Sequence, residues 1–304
     1  MLRFVGTRTT QALATLWILS IVVFLLARIT GSPLDLLRPD AATAENREAL
    51  LHELGLDRPL PVQYWQFLTN LLKGDLGRSF VLKTDIGPLL VSRFWSTFWL
   101  ATVAMGVALA IAVPLGLLAA ANRGGIWDTL ATLLALGGMA TPTFVSGIAG
   151  ILIFGVWLGW LPSFGVGTWK HFVLPAITLG WFNSAGILRL LRSSMLDVLD
   201  QEYIKFARLT GVPDRVVIWK HALRNALLPV LTFVGFSYGI LIAGAIATET
   251  VFAWPGMGRL AYDSILNRDF PVLQAITLVW SAIIIAINFM VDILYGVLDP
   301  RIRD

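Results

Sequence analysis

The stretch that decides how the rest of the chain is interpreted is RLLRSSMLDVLDQEYIKFARLTGVPDRVVIWKHALRNALLPV, residues 189–230. It is the longest charged interruption between two apolar stretches, and it is able to form two amphipathic helices on either side of Gly211. Connections between packed helices are usually short, so one of this length predicts a surface for a soluble partner. We therefore expect a membrane subunit whose movements are driven by a soluble partner bound to this segment.

Composition identifies the solvent of this chain as a lipid bilayer. Hydrophobic residues make up 57% of the sequence and charged residues 14%, and the mean hydropathy is +0.75. The chain has no cysteine, which excludes disulfides, thiolate metal sites and a cysteine nucleophile. The net charge of +4 requires no nucleic acid as a partner, because the basic residues cluster at membrane ends and are interleaved with acids.

Six apolar stretches are long enough, or nearly so, to cross a bilayer, which takes about 20 residues. They predict an all-α membrane protein with six transmembrane helices at residues 9–28, 95–121, 127–158, 172–190, 227–249 and 272–296. The predicted organisation is an N-terminal transmembrane helix (1–29), an external helical insertion (30–94), a core membrane domain (95–296) and a tail (297–304). The first stretch follows Arg3 and Arg8 as a secretory signal would, but no convincing small-x-small cleavage site follows Ala27.

Orientation follows from short, positively charged loops. This rule places the N-terminus, the Arg123 turn, residues 189–226 and the tail with Arg301 and Arg303 on the cytoplasmic side. The external insertion contains two helical patterns, TAENREALLHELGL and PLPVQYWQFLTNLL. They indicate a lid that buries its apolar face on the membrane domain, with a dedicated ligand-binding module as the alternative.

Small residues recur every four positions in the predicted fifth span, at Gly235, Gly239, Ala243 and Ala247. This spacing lets another helix approach closely, so we expect the span to lie at a helix interface, either within the chain or across a dimer.

Three prolines fall within predicted spans: Pro114, Pro142 after Thr141, and Pro175. Helix breaks in a bilayer are tolerated where protein or a water-filled cavity surrounds them, so these positions are consistent with a translocation path.

Few polar side chains are predicted at membrane depth: Asn183, Ser184, Asn288 and Asp292. Asn183 is a candidate for lining a pathway, and an interhelical hydrogen bond explains it equally well. Asp292 suits anchoring near the cytoplasmic end better than ion coupling. An ion-coupled secondary transporter would usually show buried carboxylates or histidines near the bilayer centre, and these are missing from the predicted spans, so it is kept only as an alternative.

An enzymatic interpretation rests on Gly235-Phe236-Ser237-Tyr238-Gly239, which matches G-x-S-x-G. Acyl transfer needs a base beside the serine, and all three histidines, His52, His171 and His221, are predicted in extramembrane segments or at their borders. Helix packing therefore explains the glycines better than protease activity. The chain also lacks G-x-x-x-x-G-K-[ST], so ATP and Mg²⁺ would be bound by other subunits and this chain is not predicted to be an enzyme.

The segment KFARLTG, from Lys205 to Gly211, is followed by PDRVVIWKHALRNALLPV. Together they resemble the EAA loop of ABC importer permeases, and more narrowly the dipeptide, oligopeptide and glutathione permease family. The general pattern has glutamate at Lys205 and proline near Arg224, and both departures are usual in the peptide branch. LGLDRPLPVQYWQFLTNLLKGDLGRSF, LGWLPSFG and ETVFAWPGMGRLAYDSILNRDFPVLQA also resemble that family, so the similarity covers almost the whole chain.

The resemblance implies a type I ABC importer permease in a bacterial inner membrane. It implies a second homologous permease, two cytoplasmic ATPase subunits and a periplasmic or lipid-anchored binding protein that delivers a small peptide. A non-transporting membrane assembly subunit is a further alternative, which would show no substrate-dependent phenotype.

The family's coupling helix would fall between Tyr203 and Gly211. Phe206 and Ala207 would supply the apolar contact with an ATPase, and Arg208 and Arg215 would pair with its acids, or would instead be solvated or bind lipid phosphate. Gly211 and Pro213 fit a rigid bend after this helix. The predicted docking residues are Tyr203, Lys205, Phe206, Ala207, Arg208, Gly211, Arg215 and His221.

Trp254-Pro255-Gly256-Met257-Gly258 predicts a compact external turn. It is a candidate gate or docking surface for the binding protein, and a purely structural turn explains it at least as well. The candidate pathway or gate residues are Asn183, Ser184, Ser237 and Trp254.

Overall fold

The computed structural model describes residues 2–29 and 57–298, with side chains at 6–29 and 57–291. Among these residues there is no named strand, and the one extended pairing is an isolated bridge between Arg78 and Asp85. The helices in chain order are α1 (Leu2–Ile29), α2 (Leu60–Leu72), α3 (Ile86–Ala121), α4 (Ile126–Ala140), α5 (Thr143–Trp157), α6 (Lys170–Leu199), α7 (Glu202–Leu209), α8 (Asp214–Ala243), α9 (Ile246–Val251), α10 (Met257–Leu266) and α11 (Phe270–Leu298).

The chain divides into two compact units: Met1–Trp95 with Gly256–Asp304, and Ser96–Pro255. We call the first, formed by the two ends of the chain, the outer unit, and the second, formed by the middle of the chain, the central unit, so that both names refer to position in the sequence. Within the described ranges, five helices are long and apolar enough to cross a membrane, and α4 with α5 forms a sixth candidate span bent by 101°. The apolar composition of these helices and their lengths confirm an all-α membrane protein.

The bend in the predicted third span corrects the expectation of one helix over residues 127–158. Thr141 leaves the helical region at φ −99° and ψ 118°, since a residue before proline is pushed towards extended backbone. Pro142 then begins α5. Pro114 and Pro175, which were expected to be able to break helices in the same way, lie inside the continuous helices α3 and α6.

The bent pair nevertheless crosses the central unit from end to end. Asp128, at the start of α4, contacts Arg192 near the end of α6, and Gly150 in α5 faces Leu174 near the start of α6. The eighteen residues between Arg192 and Leu174 correspond to about 27 Å of helix, close to the hydrocarbon thickness of a bilayer. This antiparallel course supports a broken span, which brings the number of spans to the predicted six.

Two glycines of α6 and one of α4 let three helices approach α6 closely. A Cβ built at Gly180 would lie 2.7 Å from the Val107 side chain of α3, and one at Gly186 would lie 2.7 Å from the Phe233 ring of α8. On α4, a Cβ at Gly138 would lie 3.0 Å from Ala185. In lipid, close backbone approach of this kind provides the packing that holds helices together.

The fifth span ends earlier in the sequence than predicted. α8 ends at Ala243, Gly244 adopts φ +121°, and α9 begins at Ile246. Ala247 therefore lies on a different helix from Gly239, and the predicted four-residue stripe stops at the break.

The outer unit joins α1 and α11, and α2 packs on α1. The Tyr64 hydroxyl shares a hydrogen bond with Ser20 at 2.9 Å, and its ring meets Phe24 edge-on at 5.4 Å. α2 confirms the second predicted helix of the insertion, whereas the first, over residues 43–56, lies outside the described residues. The buried core of the unit consists of Ile86, Leu90, Met257, Leu260, Ala261, Val272, Ala275 and Ile276.

Candidate functional site

The predicted docking residues lie on α7, its C-terminal turn and the first part of α8. α7 is amphipathic: Ile204 is fully buried, whereas Phe206 is 68% and Leu209 86% exposed. A short helix that is anchored through one side chain and exposes large apolar residues on its other side has an apolar surface available to a partner. We call the exposed side of α7 with residues 210–215 the coupling surface.

The C-terminus of α7 is closed by a Schellman motif. The Gly211 amide donates to the Arg208 carbonyl and the Val212 amide to the Ala207 carbonyl, both at 3.1 Å. Gly211 has φ +83°, as predicted for this position, and Pro213 is the N-cap of α8. The bend is therefore set by backbone geometry.

The expected second amphipathic helix of this segment is not a separate element. Residues 214–222 continue without a break into the fifth span, through a π-helical segment at Val217–Ala222. Val217 and Ala222 are fully buried, so this part of α8 is packed into the central unit.

Ion pairs shape the charged part of the coupling surface. Lys205 Nζ lies 2.8 Å from a Glu202 carboxylate oxygen, and this hydrogen bond raises the pKa of Lys205 above its usual range. Arg208 Nε donates to Asp214 Oδ1 at 3.1 Å across the bend. Arg208, expected to meet acids of a partner, thus already has an acid within the chain.

One further contact joins α7 to α8. Asn225 Nδ2 of α8 donates to the Tyr203 hydroxyl of α7 at 2.7 Å, and within α8 it also donates to the His221 carbonyl at 3.4 Å. Tyr203 therefore helps to fix the position of α7 in addition to any contact it makes with a partner, whereas the His221 carbonyl is bonded only within its own helix by Asn225.

Behind the coupling surface lies an ion pair that the sequence reasoning did not single out. Arg192 of α6 donates through Nε and Nη2 to the Asp128 carboxylate of α4, with the Nη2 bond at 2.8 Å, and the Gly124 amide donates to Oδ2 at 2.9 Å. The side chains of Arg192 and Asp128 are only 30% and 10% exposed. The one feature of the sequence that pointed to this ion pair is Asp128, a single acid at the edge of a long apolar stretch.

The candidate pathway residues of α6 make hydrogen bonds within their own helix. Asn183 Nδ2 donates to the Leu179 carbonyl at 2.8 Å, and Ser184 Oγ donates to the Trp181 carbonyl at 2.7 Å. Ser184 and Ser237 of α8 are both buried. A cavity of about 440 Å³ lies between α5 and α6 at the bend between α4 and α5, lined by residues that include Thr141, Ser146, Phe154, Leu174, Thr178 and Trp181.

Trp254 lies at the other end of the central unit and is buried, with 2% of its surface exposed. Its Nε1 donates to the Ser96 carbonyl at 3.1 Å, and its ring meets Phe172 edge-on at 4.6 Å. The preceding Ala253 has φ +51°, an uncommon conformation for a residue with a Cβ. A docking surface needs an exposed side chain, so the burial of Trp254 favours a structural or gating role.

A buried carboxylate that no sequence pattern singled out lies on α9, after the end of the fifth span. Glu249 of α9 is fully buried, and it accepts a hydrogen bond from Thr97 Oγ1 at 2.8 Å. No periodic pattern marks this position because it follows the break at Gly244. Since Glu249 lies past the end of α8, it does not contradict the expectation that carboxylates are missing near the bilayer centre.

Comparison with known proteins covers the whole chain. A family model described as "Binding-protein-dependent transport system inner membrane component" matches residues 112–304, and its N-terminal counterpart matches residues 1–101. The chain is 42% identical to the glutathione transport system permease protein GsiC of Pectobacterium atrosepticum and 40% identical to that of Escherichia coli strain K12, in each case over 100% of this chain and 99% of the relative.

Solved structures share the fold at lower identity. Two crystal forms of inward-facing conformations of the MetNI methionine ABC transporter align with TM-scores of 0.60 and 0.58 at 18% identity, over 69% of this chain and 96% of that chain. An amino acid ABC transporter aligns with a TM-score of 0.53 at 17% identity, over 68% of this chain and 92% of that chain. With matches to two family models and full-length relatives above 30% identity, the chain belongs to the family of inner-membrane components of binding-protein-dependent transport systems.

Proposed function

We propose that this permease subunit of an ABC importer carries small peptides of the glutathione or dipeptide class. The observation that carries the substrate proposal is the 40–42% identity over the full chain to glutathione permeases. Uptake of labelled glutathione, a dipeptide and a tetrapeptide by cells with and without the gene tests it. The proposal would be contradicted if cells without the gene took up all three compounds as well as cells with it.

The proposed assembly pairs this chain with a second homologous permease, two cytoplasmic ATPases that bind ATP and Mg²⁺, and a periplasmic or lipid-anchored binding protein. Both termini and the coupling surface would lie in the cytoplasm. Within the central unit, Arg123 lies 3.9 Å from Asp200, so the two positive segments used to infer orientation are at the same end. We keep the division into an N-terminal helix, an external insertion, a core domain and a tail as part of this proposal.

The coupling surface is proposed to contact one ATPase, with Phe206 and Leu209 entering an apolar groove. The observation that carries this part is the 68% and 86% exposure of these two side chains on a helix fixed by Ile204 and by the Gly211 turn. Closure of the ATPases on ATP would move α7, and only a difference in binding between the two permease states can drive the shift.

Purification from native membranes tests the contact. Phe206→Asp should abolish recovery of the ATPase subunits, because a carboxylate in an apolar groove is desolvated without a partner. The matched control is Phe164→Asp, since Phe164 is similarly exposed, at 61%, but lies in a different segment of the central unit. Equal ATPase recovery with Phe206→Asp and with the unmodified chain would contradict the docking proposal.

A further inference from the structure

The ion pair between Asp128 and Arg192 occupies a mechanically important position. α7 follows α6 after only Asp200 and Gln201, so a displacement of α7 acts directly on the end of α6. Arg192 lies two turns before that end, and it donates two parallel hydrogen bonds to the Asp128 carboxylate. A two-bond contact of this kind fixes orientation as well as distance.

The same carboxylate ties a third element into the junction. The Gly124 amide donates to Asp128 Oδ2 at 2.9 Å, so the turn between α3 and α4 is held together with α6. Further along α4, Gly138 packs tightly on Ala185 of α6. α4 is thus held to α6 by a polar contact at its start and by close backbone packing near its end.

Beyond Gly138, the regular helix is interrupted. Thr141 has extended backbone angles, and α5 departs at 101° to α4. Hinges are short segments between rigid elements that absorb changes in backbone angles. Thr141 lines the 440 Å³ cavity at this bend, as do Ser146 of α5 and Thr178 of α6.

We propose that Asp128 and Arg192 form a latch that passes the movement of α7 to α4, so that the cavity wall at the Thr141–Pro142 bend moves when the ATPases close. Both are positioning residues, since they act through α4 and need no contact with the substrate. The inference rests on the proposed docking of α7 to an ATPase. If the latch holds, α4 and the end of α6 move together as one rigid body.

The absence of native cysteine allows a direct test. Spin labels at Leu136→Cys on α4 and Ser193→Cys on α6, both at exposed positions, report the distance between the two helices by pulsed electron paramagnetic resonance. The assembled complex is measured in nanodiscs without nucleotide and after trapping with MgATP and vanadate. With the latch intact, one distance should be found in both states.

In Asp128→Asn, the distance should shift or split after trapping while ATP hydrolysis continues. Transport per ATP should fall by about 2- to 30-fold, the range expected for mutations that weaken coupling networks. Arg123→Ala is the matched control, because its partner Asp200 is 3.9 Å away and the two side chains are 69% and 76% exposed. This control should behave as the unmodified chain.

The double variant Asp128→Asn with Arg192→Met separates a latch from general stability. Removing both charges leaves no desolvated charge unpaired, so the complex should assemble, and the distance should still change on trapping. An unchanged distance in both Asp128→Asn and the double variant would overturn the latch, as would a distance that changes on trapping in the unmodified chain. Loss of ATPase recovery with Phe206→Asp, together with an unchanged distance in Asp128→Asn, would leave the docking proposal standing and refute only the latch.

Discussion

At the scale of single residues, the backbone conformation at Gly211 restricts which residues can occupy this position. Its φ of +83° is required by the Schellman motif that ends α7, and a Cβ there would meet no atom within 4 Å. The constraint is therefore conformational, with no steric component from neighbouring residues. Gly211→Val should disturb the turn, because a β-branched residue rarely adopts positive φ.

The predicted consequence is loss of coupled transport with normal insertion in the membrane. Gly211→Asn is the matched control, since asparagine tolerates left-handed backbone and should retain most of the transport. The measurement is uptake of labelled glutathione by cells, normalised to the amount of permease in the membrane. Normal uptake by a well-expressed valine variant would show that this turn is not needed for coupled transport.

At the scale of helices, the glycines of α6 decide how closely α3 and α8 approach. Gly180→Leu should destabilise the protein by about 1–3 kcal/mol, because the added side chain meets the Val107 side chain and the Ala104 carbonyl at under 3 Å. Gly106→Ala on α3 is the control, since a Cβ there has open space and alanine is the better helix former. Thermal unfolding in the same detergent measures the stability of both variants. Equal melting temperatures for Gly180→Leu and Gly106→Ala would contradict this close packing of α3 on α6.

The bent pair α4–α5 is also decided at this scale. The apolar pattern over residues 127–158 does not distinguish a straight helix from a broken one, because both bury the same residues in lipid. Pro142 marked the position of a break, but Pro114 and Pro175 carried the same local signal and lie in continuous helices. The local sequence therefore does not tell which proline breaks its span, and the packing of the whole helix decides it.

At the scale of the whole molecule, the proposed topology predicts which residues are reached from each side of the membrane. Single cysteines at Leu209 and at Phe164, both exposed, should react with a membrane-impermeant maleimide from opposite sides. Leu209→Cys should be labelled only in inside-out vesicles stripped of the ATPase subunits, which would otherwise cover it, and Phe164→Cys only in intact spheroplasts. Labelling of both from the same side would refute the topology, including the crossing of α4 and α5.

Much of this protein follows from its sequence by itself. Runs of about 20 apolar residues determine membrane helices, since an unpaired backbone group in lipid costs several kcal/mol and a helix pairs nearly all of them. The position of α7 and the positive φ of Gly211 were likewise predictable, because glycine and proline act on the local backbone.

Tertiary structure decided the features that join distant segments. Asp128 and Arg192 are 64 residues apart, and Thr97 and Glu249 are 152 apart, so no local pattern predicts either contact. The burial of Trp254 and Glu249 likewise follows from the break at Gly244, which turns the chain back against α3 and α6. Local propensity acts over a few residues, whereas the partner of a buried charge is chosen by the packing of whole helices.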